Sequence, residues 1–160
     1  DTVTSQYLSF VLGEETFAMD INQVKEVLEY TSVTKVPQMP EFMRGVINLR
    51  GNVVPVVDLR LKLGMGTTEK TINTCVIITE IGSKDDLIII GALADSVQEV
   101  FELETADIEP APSMGMALDT GFLRGMGKKG ENFVLLLDVG KIFDTEELGI
   151  VEHSAENRAA

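Results

Sequence analysis

Two aspartates end the most apolar stretches of this chain: Asp58 in VVPVVDLRLKL and Asp138 in FVLLLDVGKIF. A pair of carboxylates is what general acid–base chemistry needs, one group holding a proton while the other accepts one. Other reactive side chains are sparse. Cys75 sits in the apolar run TCVIITE, and the single histidine, His153, lies 78 positions away in a polar segment. That spacing spells out neither a thiol–imidazole pair nor a zinc-ligand cluster, so no metal and no cofactor are expected. GMGKKG at Gly125–Gly130 lacks the phosphate-loop spacing and reads as a turn. Asp58 and Asp138 each follow a strand-like run and precede a short helical stretch, where an aspartate oxygen caps free backbone N–H groups. Capping is the preferred reading for both, and the chain is expected not to be an enzyme. The rival reading, a small β-barrel enzyme using Asp58 or Asp138, requires the two carboxylates to share one cleft.

The elements that position these residues are short. A chain of 160 residues with 44% hydrophobic content can bury a real core. No apolar run approaches the ~20 residues of a membrane helix, and no basic-then-apolar leader opens the sequence. One cysteine allows no internal disulfide and suits a reducing, cytoplasmic setting. The net charge of −13 argues against nucleic acid, whose binding needs a cationic face. The charge is also uneven: residues 1–83 carry 7 Lys and Arg against 10 Asp and Glu, and residues 84–160 carry 6 against 16. Two surfaces of opposite sign would suit different partners.

The chain repeats itself. FMRG at Phe42–Gly45 recurs 80 residues later as FLRG at Phe122–Gly125, and Asp58 and Asp138 each stand 16 residues after the phenylalanine. VKEV at Val24–Val27 echoes VQEV at Val97–Val100, each a few residues after an aspartate, Asp20 or Asp95. Four hairpins are expected. YLSFVL and ETFAMDI flank Gly13-Glu14, and VINLR and NVVPVVD flank Gly51, with Gly51-Asn52 able to supply the positive φ of a tight turn. TCVIITEI pairs with LIIIGALAD, and ENFVLLLD follows the glycine-rich turn. Pro55 places its strand at an edge or a bulge. Asp20 with Gln23 is expected to form a capping box ahead of Val24. Short strands, glycine-rich turns and no long helix predict an all-β architecture of two similar barrels packed together.

These residues resemble the CheW family, the small adaptors of bacterial chemotaxis arrays, from about Tyr7 to Leu148. FMRGVINLRGNVVPVVDLR carries the likeness most strongly, supported by YLSFVLGEETFAMDINQVKEVL, GALADSVQEV and IEPAP. The resemblance implies two packed five-stranded SH3-like β-barrels with short connecting and C-terminal helices. The domain is then single over 1–160, with subdomains 14–66 and 67–148 (the N-terminal strand crossing over) and a polar tail over 149–160. It implies two partners, chemoreceptor cytoplasmic tips and the regulatory domain of the histidine kinase CheA, met at membrane-associated arrays without direct membrane insertion. The receptor-facing groove would use Val24, Glu26, Val27 and Arg50 with Val97 and Val100. The kinase-facing surfaces would use Gly45 at one barrel end and Ile108, Glu109 and Met114 at the other. Some relatives carry Arg where this chain has Glu109, so a charge pair there would be lost or reversed. Within the same fold the chain could also be the regulatory domain of a CheA kinase or part of a CheV-type fusion. The polar ending HSAENRAA is expected to favour the stand-alone adaptor.

Overall fold

Runs rich in Val and Ile, bounded by Gly and polar residues, become strands because branched side chains suit a pleated surface. The computed structural model describes residues 4–30, 33–83, 86–109, 123–129 and 131–142. In chain order the strands are β1 (Thr4–Leu12), β2 (Glu15–Asp20), β3 (Val24–Glu29), β4 (Met43–Leu49), β5 (Asn52–Asp58), β6 (Cys75–Ser83), β7 (Asp86–Ala94), β8 (Ser96–Glu104), β9 (Ile108–Glu109), β10 (Leu123–Lys129) and β11 (Asn132–Leu137). One α-helical turn, α1 (Leu59–Lys62), follows β5. Sheet I has the order β8-β1-β2-β11-β10-β9, and sheet II the order β3-β6-β7-β5-β4. Six strands rather than five stand in sheet I because β9 pairs through two residues with β10. At the corresponding place in sheet II only an isolated bridge forms, between Thr34 and Val46. Each sheet is one SH3-like β subdomain.

All four expected hairpins form, but in the fourth the stretch GMGKK, read as a turn, lies within strand β10 and pairs with β11 as far as Lys129 opposite Asn132. In the β4–β5 hairpin, however, the positive φ falls on Arg50 (51°) and Gly51 (88°), not on Gly51-Asn52. Leu49 pairs with Asn52, so the two-residue loop is Arg50-Gly51 and Asn52 already belongs to the strand. Pro55 lies in an interior strand, yet its position behaves as an edge. The β5–β7 ladder begins only at Val56, and Val46, opposite Pro55, exchanges its backbone bonds with Thr34 (2.8 Å each way).

The repeat is a repeat of backbone irregularity as well as of sequence. Register shifts fall between Met43 and Gly45 and between Leu123 and Gly125, at the same step of each Phe-x-Arg-Gly motif. The sheets do not divide the chain at residues 66 and 67. Sheet I joins the first hairpin to β8–β11, and sheet II joins β6–β7 to β3–β5, so each sheet takes a hairpin from the other half. The reason is the parallel pairing of β2 with β11 and of β7 with β5, which inserts each hairpin beside its neighbour's strand. The chain crosses between the sheets at Ile21–Gln23 and again at Asp95.

Strands in both sheets bury both faces, which explains near-continuous apolar runs in place of alternation. On one face Leu8, Phe10, Phe17, Ile77, Ile90 and Leu137, among others, form a single core shared by the two sheets. On the other face each sheet has a smaller core of its own, around Tyr7, Leu103 and Leu136 in sheet I and around Val56, Ile78 and Leu93 in sheet II.

The caps divide. Asp58 caps α1, its carboxylate accepting from the N–H groups of Arg60 (3.1 Å) and Leu61 (3.4 Å). Asp138 occupies the equivalent place before a 3-10 turn, Val139–Lys141, but its side chain makes no capping bond. The turn instead closes through its backbone, Lys141 N–H donating to the Asp138 carbonyl at 3.0 Å. The capping box at Asp20 is also incomplete. Asp20 accepts from Asn22 N–H (2.9 Å), yet the 3-10 turn ends at Gln23, whose buried side-chain oxygen has no partner.

Candidate binding surfaces

Two bulges decide where the VxEV valines point. Across β3 and β6, Val24 faces Thr79 and Val27 faces Ile77, two residues on one side of β6, with a register shift between Val24 and Glu26. Across β8 and β1, Val97 faces Phe10 and Val100 faces Leu8, with a shift between Leu8 and Phe10. A regular strand alternates sides, so residues three apart would point oppositely; the extra residue brings them together. Ser9, fully buried, bridges the second bulge: its Oγ donates to the Glu99 carbonyl (3.0 Å) and accepts from Glu99 N–H (3.2 Å). The result is that both valines of each pair lie on the face shared with the other sheet. Val24 and Val97 pack partly buried against the shared core. Val27 and Val100 stay 39% and 50% exposed.

β3 and β8 are the outermost strands of their sheets. The Cys75 thiol, at the start of β6, donates to the Asn73 carbonyl (3.2 Å). Burial, ahead of any charge, pushes this thiol's pKa up, as expected of a structural rather than a reactive cysteine.

Arg50 and Glu26 meet elsewhere. The guanidinium of Arg50 forks onto both carboxylate oxygens of Glu26, Nη2 on Oε2 and Nη1 on Oε1 (3.2 Å). The hydrogen bonds from Arg50 hold the Glu26 carboxyl below its usual range. They border a cleft of about 450 Å³ between the upstream ends of β5 and β7, lined by Val53, Val54, Pro55, Leu87 and Ile89. The forked donor expected of Arg50 is therefore present, but it already holds a carboxylate of its own chain. Nothing in the spacing of VKEV and NLRG signalled this pairing, because it depends on where a hairpin tip lands beside an edge strand.

The Phe-x-Arg-Gly glycines do structural work. At Gly45 (φ +142°) a Cβ would lie 2.2 Å from the Thr34 carbonyl oxygen, and at Gly125 (φ +156°) 2.6 Å from that of Glu109. Gly45 and Glu109 thus belong to equivalent edges of the two subdomains, where a segment crosses close over the glycine. Glu109 is exposed, and Ile108 packs partly buried on the small core of sheet I. Met114 falls outside the described residues.

The arginines of the two motifs take different partners. Arg44 donates to Asp58 Oδ2 (3.2 Å) and to the Thr68 carbonyl (3.0 Å). Asp58 is completely buried and also accepts from Thr68 N–H (2.9 Å) and Thr68 Oγ1 (2.7 Å). Arg124 instead reaches Asp20 at 3.5 Å. Asp58 ends a strand of sheet II and Asp138 follows a strand of sheet I, and Asp58 has no exposed surface with which to meet a substrate. A second, half-buried node, which the sequence did not announce, joins Arg60 to Asp95 (3.3 Å).

The comparisons agree with this architecture. The CheW-like domain family matches residues 6–147. The chemotaxis protein CheW of Klebsiella aerogenes is 36% identical over 157 residues, covering 98% of this chain and 92% of the relative. That of Bacillus subtilis is 34% identical over 138 residues, covering 86% and 85%. The crystal structure of the scaffolding protein TtCheW from Thermoanaerobacter tengcongensis superposes with a TM-score of 0.79 at 33% identity, covering 91% of each chain. With its repeat, its two SH3-like subdomains and these relatives, the chain belongs to the CheW family of chemotaxis scaffold proteins.

Proposed function

We propose that this chain is a non-enzymatic adaptor that couples chemoreceptors to the histidine kinase CheA, working in the cytoplasm at membrane-associated receptor arrays. The observation that carries the reading is the pair of bulges. They turn Val24, Val27, Val97 and Val100 toward the seam between the subdomains, one pair on the outer strand of each sheet. An apolar strip flanked by two edges fits a helix, which presents its own apolar stripe with a few polar registration points. The receptor tip, a helical hairpin, supplies such a surface. Arg50 and Glu26 lie off this strip, beside the cleft on the other face of β3, and would form a separate polar contact: a carboxylate of the receptor would compete with Glu26 for the guanidinium.

Kinase contacts belong to the Gly45 edge of sheet II and the Ile108–Glu109 edge of sheet I. Because these edges are equivalent in the repeat, one adaptor offers two similar surfaces on different subdomains, which lets adaptor and kinase regulatory domains alternate. Simultaneous binding then links the receptor's conformation to the kinase by a coupling free energy of about 1–3 kcal/mol, reciprocal between the two partners.

Arg50→Glu is expected to leave the fold intact and to weaken binding of a receptor cytoplasmic fragment about tenfold or more, as loss of an interface arginine commonly does. A folded variant that still co-sediments normally with receptor would remove Arg50 from the interface. Glu109→Ala should reduce kinase binding more than receptor binding, read by pulldown with each partner; equal losses would count against separate surfaces. Carboxyl chemical shifts should show Glu26 titrating below its value in an Arg50→Ala chain. The pair's stabilising contribution is present above the ordinary glutamate pKa and is lost as pH falls through the lowered one.

A further inference from the structure

Both valine pairs begin just after a crossing between the sheets, Val24 four residues after Asp20 and Val97 two after Asp95. Both lie on outermost strands, each held by one neighbouring strand only. What anchors the crossing therefore sets where the valines start. At Asp95 the anchor ties both subdomains together. Its N–H donates to the Val11 carbonyl in β1 (2.9 Å), and its carboxylate accepts from Gly13 N–H in the β1–β2 turn (2.6 Å). The same carboxylate takes Nη1 of Arg60 from α1 (3.3 Å), and Arg60 Nη2 donates to the Met65 carbonyl (3.2 Å). Both side chains are 22% exposed, which limits screening by solvent. At Asp20 the anchor is looser: Arg124 at 3.5 Å, with 45% of its side chain exposed.

We propose that the Arg60–Asp95–Gly13 node is a positioning lock that sets the spacing between the two valine pairs, with Arg60 and Asp95 acting on receptor binding without touching the receptor. The functional half of this statement rests on the groove reading above. Substituting Arg60 frees the crossing, so the two sheets, each keeping its own pairing, can shift against one another across the shared core and carry β8 relative to β3. Arg124 contributes little to this spacing because its contact is long and wet.

The test combines backbone residual dipolar couplings with affinity for a receptor cytoplasmic fragment. In the unaltered chain one alignment tensor should fit both sheets. In Arg60→Met, which keeps the apolar stem, each sheet should still fit well alone, but β8 and β3 should no longer share one orientation, and affinity should fall about fivefold or more, the lower end of typical inter-site coupling. Arg124→Met should change neither readout appreciably. A wild-type relative orientation in Arg60→Met overturns the lock, whatever the affinity does. Asp95→Asn repeats the test with the Gly13 acceptor retained, and wild-type couplings there overturn it equally. Val100→Glu separates the two readings: it should abolish receptor binding with unchanged couplings. Intact binding in that variant would sink the groove while the couplings of Arg60→Met still judge the lock.

Discussion

Asp58→Ala is expected to be the most damaging single substitution in the described part of this chain, lowering stability by about 3–5 kcal/mol, the range for breaking a buried ion pair. The carboxylate is wholly buried and joins four segments: its own strand β5, the α1 turn, Arg44 on β4 and Thr68 in the following loop. Its removal strands the N–H and hydroxyl of buried Thr68 away from water, each orphaned donor keeping its desolvation cost, and leaves the partly buried guanidinium of Arg44 with only the Thr68 carbonyl. Asp138→Ala is the built-in control. It holds the same place in the repeat but makes no capping bond, so its effect should stay within about 1 kcal/mol. Urea midpoints for the two variants check this directly. Equal losses would mean that Asp58 acts only as a strand-end residue.

Gly45→Ala is expected to cost roughly 2–4 kcal/mol, combining strain at a positive φ with a backbone clash. The added Cβ would sit 2.2 Å from one atom of Thr34 and 2.8 Å from another, both main-chain, so no side-chain rotation relieves the overlap. The Thr34–Val46 bridge must open or β4 must move. This bears on function, because a Gly45 variant that fails to bind kinase has lost the shape of its edge rather than a contact. Amide exchange at Thr34 and Val46 in Gly45→Ala should rise well above that of the unaltered chain. Unchanged protection with lost kinase binding would instead make Gly45 a direct contact.

Much of this was legible in the linear chain. The apolar runs located every hairpin, since local pairing across a short turn needs only alternating or buried strands and a residue tolerant of positive φ. The spacing of Phe-x-Arg-Gly and Asp exposed the duplication. The valines of VKEV and VQEV were singled out as a pair of equivalents. Their shared orientation was not readable, because a bulge is a property of two strands in register and appears in neither strand alone. The turn at Arg50-Gly51 was misplaced by one residue for a related reason: the closing pair of a hairpin sets which residues form its loop. Asp138 makes no capping bond although it holds the same place in the repeat as Asp58, and the short turn after it closes through its backbone alone.

The sequence by itself determined the all-β class, the internal repeat, the hairpins and the family, because these follow from local hydrophobic pattern and from motifs read along the chain. Only the tertiary structure decided which hairpin belongs to which sheet, which arginine holds which carboxylate and which side the valines face. Those choices rest on contacts between residues distant in sequence: the parallel pairing of β2 with β11 and of β7 with β5, Arg44 on Asp58 against Arg124 on Asp20, and Arg50 turned back onto Glu26. Charged groups and edge strands take whatever partner the packed core brings within reach, and that reach exists only after the two sheets have closed on their common core.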